Sequence, residues 1–373
     1  MMMRELYIGL MSGTSLDGVD AVVVAIDDHN IEIIASDEYP YPNALRQQVL
    51  AICTGQKTDL PTIGQLDHQL GKLYANAVNH LLNKAQLCAS NITAIGNHGQ
   101  TVFHQPHGEE AFTIQLGDAN LISALTGIDT IADFRRLDMA VGGQGAPLVP
   151  AFHQYLFRSR HSTTVILNIG GIANISVIPS DDHVIGYDTG PGNMLMDAWC
   201  ETHIGQKFDQ NGQWAATGKV LPELLNKLLA DPYLQQAAPK STGREHYNLA
   251  WLNKQLIGDE LPQDVQRTLC EFSALSIANA VDSHQNGNDC ELLVCGGGAN
   301  NPLLMQSLKE RLKQWQVMPT SKKGISEDSM EAMAFAWLAR QRVHNQPSNL
   351  PAVTGASQQV SLGVIYPAIK EFS

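Results

Sequence analysis

The chain is short of charge and of aromatic residues, and what it lacks excludes several classes of protein. Of its 373 residues 16% are charged and 6% aromatic, against 44% hydrophobic. That balance is too apolar for a disordered chain, which cannot bury enough surface to offset its ordering entropy. No stretch reaches the roughly 18 consecutive apolar residues needed to span a bilayer. The first nine residues carry Arg4 and Glu5 ahead of a short apolar run, without the length or small-residue exit of a secretory signal. The six cysteines (Cys53, Cys88, Cys200, Cys270, Cys290 and Cys295) form no CxxC pair, so neither a disulfide framework nor a four-cysteine zinc site is expected. A reducing, cytoplasmic setting suits them. Basic residues are also scarce: 24 Lys and Arg against 37 Asp and Glu give a net charge of -13, which argues against nucleic acid or an anionic membrane as partner.

What is abundant is glycine, 31 residues, placed between short apolar runs. The length predicts two domains of roughly 150 to 200 residues. Residues 6–11 and 19–26 read as strands joined by a glycine-bearing turn, with a third strand at 31–36. Leu66, Leu70, Leu73, Ala77 and Leu81 predict a helix from Ile63, with Thr62 and Gln65 at capping-box spacing. About 160 residues later the pattern returns: strands at 163–168 and 172–178 flank Gly170-Gly171, and a further strand runs into Asp188-Thr189-Gly190-Pro191-Gly192. Helices are expected after Asn193, over 265–281, and around Leu303, Leu304 and Leu308. A last one, capped by Ser326, should bury Met330, Met333, Ala334, Trp337 and Leu338. Residues 133–147 read as an ordered loop near the domain boundary.

The turn Ser12-Gly13-Thr14-Ser15-Leu16-Asp17-Gly18-Val19 combines backbone freedom, hydroxyl donors and a carboxylate, which suits phosphate oxygens or, alternatively, an ordinary tight turn. It has neither the GxxxxGK[ST] nor the GxGxxG spacing. Gly296-Gly297-Gly298, followed by Asn300 and Asn301, offers a flat surface for a nucleoside or, equally, a crowded strand-to-helix connection. Taken together, two glycine hairpins in duplicated strand units and a glycine loop before a helix resemble the nucleotide clamp of actin and hexokinase, with phosphate loops from both lobes. An acidic chain must then concentrate donors, or a cation such as Mg2+, against the ATP phosphates.

Asp188, at the end of a strand and before a glycine loop, suits a general base or an Asx-turn. Asp17 suits ordering an Mg2+-bound water or the loop itself, and Asp20 anchoring the turn; the residues leave both open. His98, Gln100 and His104 suit hydrogen bonding to a substrate better than a metal, since no acidic ligand completes a cluster. Arg135 and Arg136 stand among Asp133 and Asp138, fitted either to a substrate carboxylate or to a salt-bridge cluster.

The chain closely resembles the anhydro-N-acetylmuramic acid kinases of bacterial cell-wall recycling. The resemblance rests on the string from Gly9 to Asp20, on Asn97-His98-Gly99-Gln100-Thr101, on Asp133-Phe134-Arg135 with the run from Gly142 to Pro150, on Asn168-Ile169-Gly170-Gly171-Ile172-Ala173-Asn174, on the run from Asp188 to Asn193, and on the run from Gly296 to Asn301. It implies an α/β fold of duplicated actin-like, ribonuclease H-like domains flanking a cleft, one spanning 1–130 completed by 340–373 and the other 131–339. It also implies a homodimer that uses ATP and Mg2+ to open 1,6-anhydro-N-acetylmuramic acid with water and to phosphorylate O6. Asp188 then matches the base, and residues 12–19 match the phosphate loop. Gly170, Gly171, Gly190, Gly296, Gly297, Gly298 and Asn300 join the ATP contacts. His98, Gln100, Arg135 and Glu327 are the sugar contacts implied, and Asp17 the metal residue. Rival expectations are a levoglucosan kinase, separable by sugar preference, and an actin-like module whose output is ATP-gated binding of a protein.

Overall fold

The computed structural model describes residues 4–13, 16, 18–28, 30–159, 161–181, 183–238, 240–244, 246–326 and 329–369. The chain divides into two compact units, Met1–Leu156 with Ser329–Ser373, and Phe157–Asp328.

In the first unit Glu5–Met11 (β1) and Gly18–Ile26 (β2), both rich in Val, Ile, Leu and Ala, pair antiparallel. Ile31–Pro40 (β3) alternates half-buried and exposed positions along its length, as an outer strand with one face on a core does, and pairs antiparallel with β2. Ile92–Asn97 (β4) runs parallel to β1, Gln100–Gln105 (β5) and Phe112–Leu116 (β6) form a separate ribbon, and Thr130–Ala132 (β7) runs parallel to β4. In the second unit Thr164–Ile169 (β8), Ile172–Ile178 (β9) and Ile185–Pro191 (β10) form an antiparallel meander. Cys290–Cys295 (β11) lies parallel to β8, and Trp315–Pro319 (β12) parallel to β11. Val364–Tyr366 (β13) returns to the first unit, antiparallel to β7.

The sheets therefore run β3-β2-β1-β4-β7-β13 and β10-β9-β8-β11-β12. The first five strands of one and all five of the other share one order and one set of senses, a three-stranded meander followed by two parallel strands. This is the duplicated actin-like, ribonuclease H-like fold expected of the sequence. Each unit has its own core: Ile8, Val23, Leu70 and Tyr74 belong to one, and Leu167, Ile175, Phe272 and Leu292 to the other.

Several local expectations shift. The helix Leu60–Ala85 starts before Ile63, because the Asp59 carboxylate accepts the Thr62 N–H at 2.8 Å and Pro61 stands in the first turn, where its missing N–H costs nothing. The last long helix is Met330–Val343, behind Ser329 rather than Ser326. It buries the five residues foreseen, and also Ala332, Phe335, Ala336 and Ala339, because it lies against β1 and β4 over two glycines. A Cβ on Gly9 would collide with the Ala332 carbonyl, and one on Gly96 with that of Phe335; the two glycines are register partners. Sheet pairing and this close approach place β7 and the whole last helix in the first unit. The division thus falls after Leu156 and before Ser329, not at 130/131 and 339/340. The segment 133–147 is not a boundary loop but carries a helical turn, Arg136–Ala140, within that unit.

Candidate functional site

The β1–β2 turn begins with Ser12 and Gly13 and returns through Leu16 and Gly18; Thr14, Ser15 and Asp17 lie outside the described residues. Ser12 is buried, and its Oγ donates to Gln100 Oε1 at 2.6 Å while standing 2.8 Å from the Tyr41 hydroxyl. Since the single Ser12 proton goes to Gln100, Tyr41 supplies the proton of the second bond. Gln100 Nε2 donates to the Thr101 carbonyl at 3.2 Å, so its amide is engaged at both ends. Leu16 and Val19, expected beside a nucleotide, bury their side chains in the core. Leu16 takes a φ of 55°, and its carbonyl accepts from Arg46 Nε at 2.9 Å. Both can meet a ligand only through the backbone.

His98 and Arg135 come together. Arg135 donates to His98 Nε2 from Nη2 at 2.8 Å and from Nε at 3.3 Å, and from Nη1 to the Gly145 carbonyl at 2.7 Å. Burial, then the arginine charge, hold the His98 imidazole well below its ordinary pKa. Burial brings Arg135 down to about 10, still protonated at neutral pH. Of the two alternatives open for the arginines, a salt-bridge cluster embracing both is not formed among the described residues. Arg136 pairs with Asp133 at 2.5 Å, whereas the buried Asp138 accepts neutral donors, the Gly145 N–H, Asn349 Nδ2 and Thr354 Oγ1, each at 2.8 Å. A cavity of about 310 Å³ beside His98 is lined by Asn97, Thr113, Gln115, Asp133 and Arg136 among others. Of the expected sugar contacts only His98 lines it; Glu327 lies outside the described residues. His104 stands away on the ribbon, its Nδ1 3.0 Å from Thr113 Oγ1.

In the second unit strand register builds a polar row that spacing along the chain does not reveal. Cys295 on β11 pairs with Asn168 on β8, Asn168 with Asn174 on β9, and Asn174 with Asp188 on β10. Directly paired residues present their side chains on one face of a sheet, and the three polar ones are half-buried in otherwise apolar strands. Beyond Asp188 the pairing shifts register: Gly190, not Thr189, opposes Ala173. Thr189 is buried with Oγ1 donating to the Ala173 carbonyl at 3.2 Å, and Gly190 has φ 137°, a backbone that excludes a side chain. Such bulges re-aim side chains next to functional sites. Asp188 accepts the Thr242 N–H on Oδ2 at 3.0 Å.

Behind Asp188, the Gly192 and Met194 N–H groups donate to the Gly171 carbonyl at 2.9 and 3.1 Å, and that of Asn193 to Gly170 at 2.8 Å. Gly192 is thus turned toward the β8–β9 turn and is not a further phosphate donor. The three consecutive glycines divide. Gly296, with φ 76°, leaves no room for a Cβ against Asn168, and Gly298 none against Ile169, whereas Gly297 faces open space. Packing accounts for two of them, and Gly297 is the one with a face to offer. Asn300 is exposed; Asn301 caps the helix Pro302–Arg311, accepting from the Leu303 and Leu304 N–H groups at 3.1 and 3.2 Å.

Sequence reasoning passed over Glu331, whose carboxyl is pushed up by burial and drawn back by the charge of Arg135. Tyr41 was missed as well. Neither carries a local motif; only the tertiary partner identifies it. No helix among the described residues is long and apolar enough to cross a membrane.

A family model described as anhydro-N-acetylmuramic acid kinase matches residues 5–368. The anhydro-N-acetylmuramic acid kinase of Vibrio vulnificus (strain YJ016) is 61% identical over 365 residues, covering 98% of this chain and 99% of that protein. Its counterpart in Vibrio parahaemolyticus serotype O3:K6 (strain RIMD 2210633) is 60% identical over 367 residues, covering 98% and 99%. A solved ROK family glucokinase from Streptomyces griseus, in complex with glucose and AMPPNP, is 15% identical with a TM-score of 0.41, over 90% of this chain and 99% of that one.

Proposed function

The chain belongs to the anhydro-N-acetylmuramic acid kinase family, and we propose that Asp188 is the base of its reaction and the β1–β2 turn its phosphate loop. It is an ATP-dependent kinase of murein recycling, opening 1,6-anhydro-N-acetylmuramic acid and phosphorylating O6 to give N-acetylmuramic acid 6-phosphate and ADP. A 1,6-anhydro sugar has no free O6 hydroxyl, so ring opening must release the nucleophile. Asp188 takes a proton from water as the water oxygen bonds to C1; the C1–O6 bond breaks, and O6 takes the γ-phosphoryl group. The observation that carries this assignment is the bulge after Asp188, which leaves the carboxylate half-buried with one oxygen held by the Thr242 N–H.

His98, fixed by Arg135, is the proposed sugar contact in the first unit. The amides, hydroxyl and ion pair lining the cavity beside it suit a polyhydroxylated ligand. Gly297 is the proposed nucleotide contact among the three consecutive glycines. Among the described residues no group of three or more His, Cys, Asp or Glu could hold a metal. Phosphoryl transfer from ATP suits a hard cation that keeps its waters and needs one or two carboxylates besides phosphate oxygens; Mg2+ would supply charge neutralisation at the phosphates, and Asp17, the carboxylate expected for it, lies outside the described residues. We extend the reading to a cytoplasmic homodimer; a monomer in light scattering at micromolar concentration would reject the dimer.

The deciding experiment incubates the purified protein with anhydro sugar and Mg-ATP in oxygen-18 water. A 6-phosphate carrying the label at C1 is expected. No sugar phosphate would reject the activity, an unlabelled C1 the hydrolytic step, and a preference for levoglucosan the substrate.

A further inference from the structure

Asp188 is gripped at three points by a segment that no motif marks. Its N–H donates to the Lys240 carbonyl at 3.2 Å, its carbonyl accepts from the Tyr233 hydroxyl at 2.7 Å, and its Oδ2 accepts the Thr242 N–H at 3.0 Å. β10 is the outer strand of its sheet, and residues 240–242 meet its free edge. The Lys240 side chain joins these points. Its ammonium donates to the Tyr233 and Leu234 carbonyls at 3.2 and 3.1 Å and stands 4.8 Å over the Tyr233 ring. Tyr233 is fixed in turn by the buried Asp231, which accepts its N–H at 2.9 Å and Trp251 Nε1 at 3.1 Å and stands 3.0 Å from His246 Nε2.

We propose that Lys240 is a positioning residue for the reaction: its ammonium ties residues 240–242 to Tyr233, and the closed ring of contacts sets the direction of the Asp188 carboxylate. This rests on Asp188 being the base. A half-buried cation aimed at two neutral carbonyls and a ring face gives up hydration for weak partners, an arrangement that a surface lysine without a task would not need. The ammonium's contacts are to Tyr233 and Leu234, which fits a geometric role, since misplacing a reacting group by about 1 Å can cost on the order of 100-fold in rate.

The test compares steady-state kinetics of Lys240→Met, Lys240→Arg and Asp188→Asn in the full chain. Lys240→Met is expected to lower kcat at least about 10-fold with both KM values within about twofold, and Lys240→Arg, which keeps donors for both carbonyls, to restore most of kcat. Asp188→Asn is expected to lose at least about 100-fold, and adding Lys240→Met to it should cost nothing more. Wild-type kcat in Lys240→Met beside an inactive Asp188→Asn overturns the positioning role and leaves the base in place. Near-normal turnover of Asp188→Asn overturns the base and the inference with it. Should Lys240→Met show no cooperative melting, Tyr233→Phe carries the test: it removes only the hydroxyl on the Asp188 carbonyl, the same split is expected, and unchanged kcat overturns the inference.

Discussion

Ser12 and Gln100 are joined by a 2.6 Å hydrogen bond, hydroxyl to amide oxygen, in a pocket closed by Tyr41 and Tyr74. The sequence assigns the first to the nucleotide and the second to the sugar, but each is the other's partner. The bond fastens the end of β1 to the start of β5. It therefore ties the root of the β1–β2 turn to the strand that follows His98 and Gly99. Ser12→Ala takes one partner each from Gln100 Oε1 and the Tyr41 hydroxyl, which keep their 3.4 Å contact with one another, and should cost about 1 kcal/mol in urea unfolding. An unchanged midpoint would mean that the network adds nothing to stability.

The glycine triplet separates packing from binding. Gly298→Ala must push Ile169 aside and should lower the melting temperature by several degrees. Gly297→Ala meets nothing within 4 Å and has no positive φ to strain, so its melting temperature should match the parent. A raised KM for ATP in that stable variant would place the nucleotide against Gly297. An unchanged KM would remove this residue from the site.

The strands and their duplication are legible in the sequence because they follow from local patterning: apolar runs of six to nine residues around a glycine-bearing turn occur in both halves, with a longer turn in the first. Asp188 stands out in the sequence because a glycine-rich string follows it, although that string is not a loop: β10 runs on through it to Pro191. What depends on partners distant in the chain is not legible. That positions 9 and 96 must be glycine shows only once a helix more than 200 residues away passes over them. Arg135 and Arg136 look interchangeable, yet one turns to a histidine ring and a carbonyl and the other to a carboxylate. Asn168 and Asn174 become neighbours of Asp188 only through strand register, and Lys240 and Thr242 only through a loop that folds back on β10.

Acid should weaken the fold through a residue outside the proposed site. Burial pushes His153 down to about 3, whereas the unfolded chain takes up that proton near pH 6.5. Below pH 6.5 the unfolded state binds the proton and the folded state does not, so this group lowers stability by up to about 1.4 kcal/mol per pH unit. Asp197 acts in the opposite sense. Burial lifts it to about 7, so the folded state holds a proton that the unfolded state releases above about pH 4, and acidification across that range adds stability. The His153 effect is therefore read by difference. The stability of the parent relative to His153→Gln should fall between neutral pH and about pH 5 in urea titrations, and a constant difference would show that the imidazole titrates normally.

The His98 ring should carry its proton on Nδ1. A nitrogen that accepts from a guanidinium cannot hold a proton of its own, and Arg135 donates twice to Nε2. Burial and the same positive charge keep the second proton off. Nδ1 is buried and has no hydrogen-bond partner among the described residues, so its N–H is a committed donor left unpaired in the interior. Long-range nitrogen-15 spectra of the ligand-free protein should show a protonated Nδ1 and an unprotonated Nε2, unchanged on acidification through the ordinary histidine range. Arg135→Lys, which offers one point charge where the guanidinium offers a fork, should give a mixture of tautomers. A doubly protonated ring at neutral pH would contradict the burial and charge that define this pair, and an Nε2-protonated ring would reverse the direction of the bond between them.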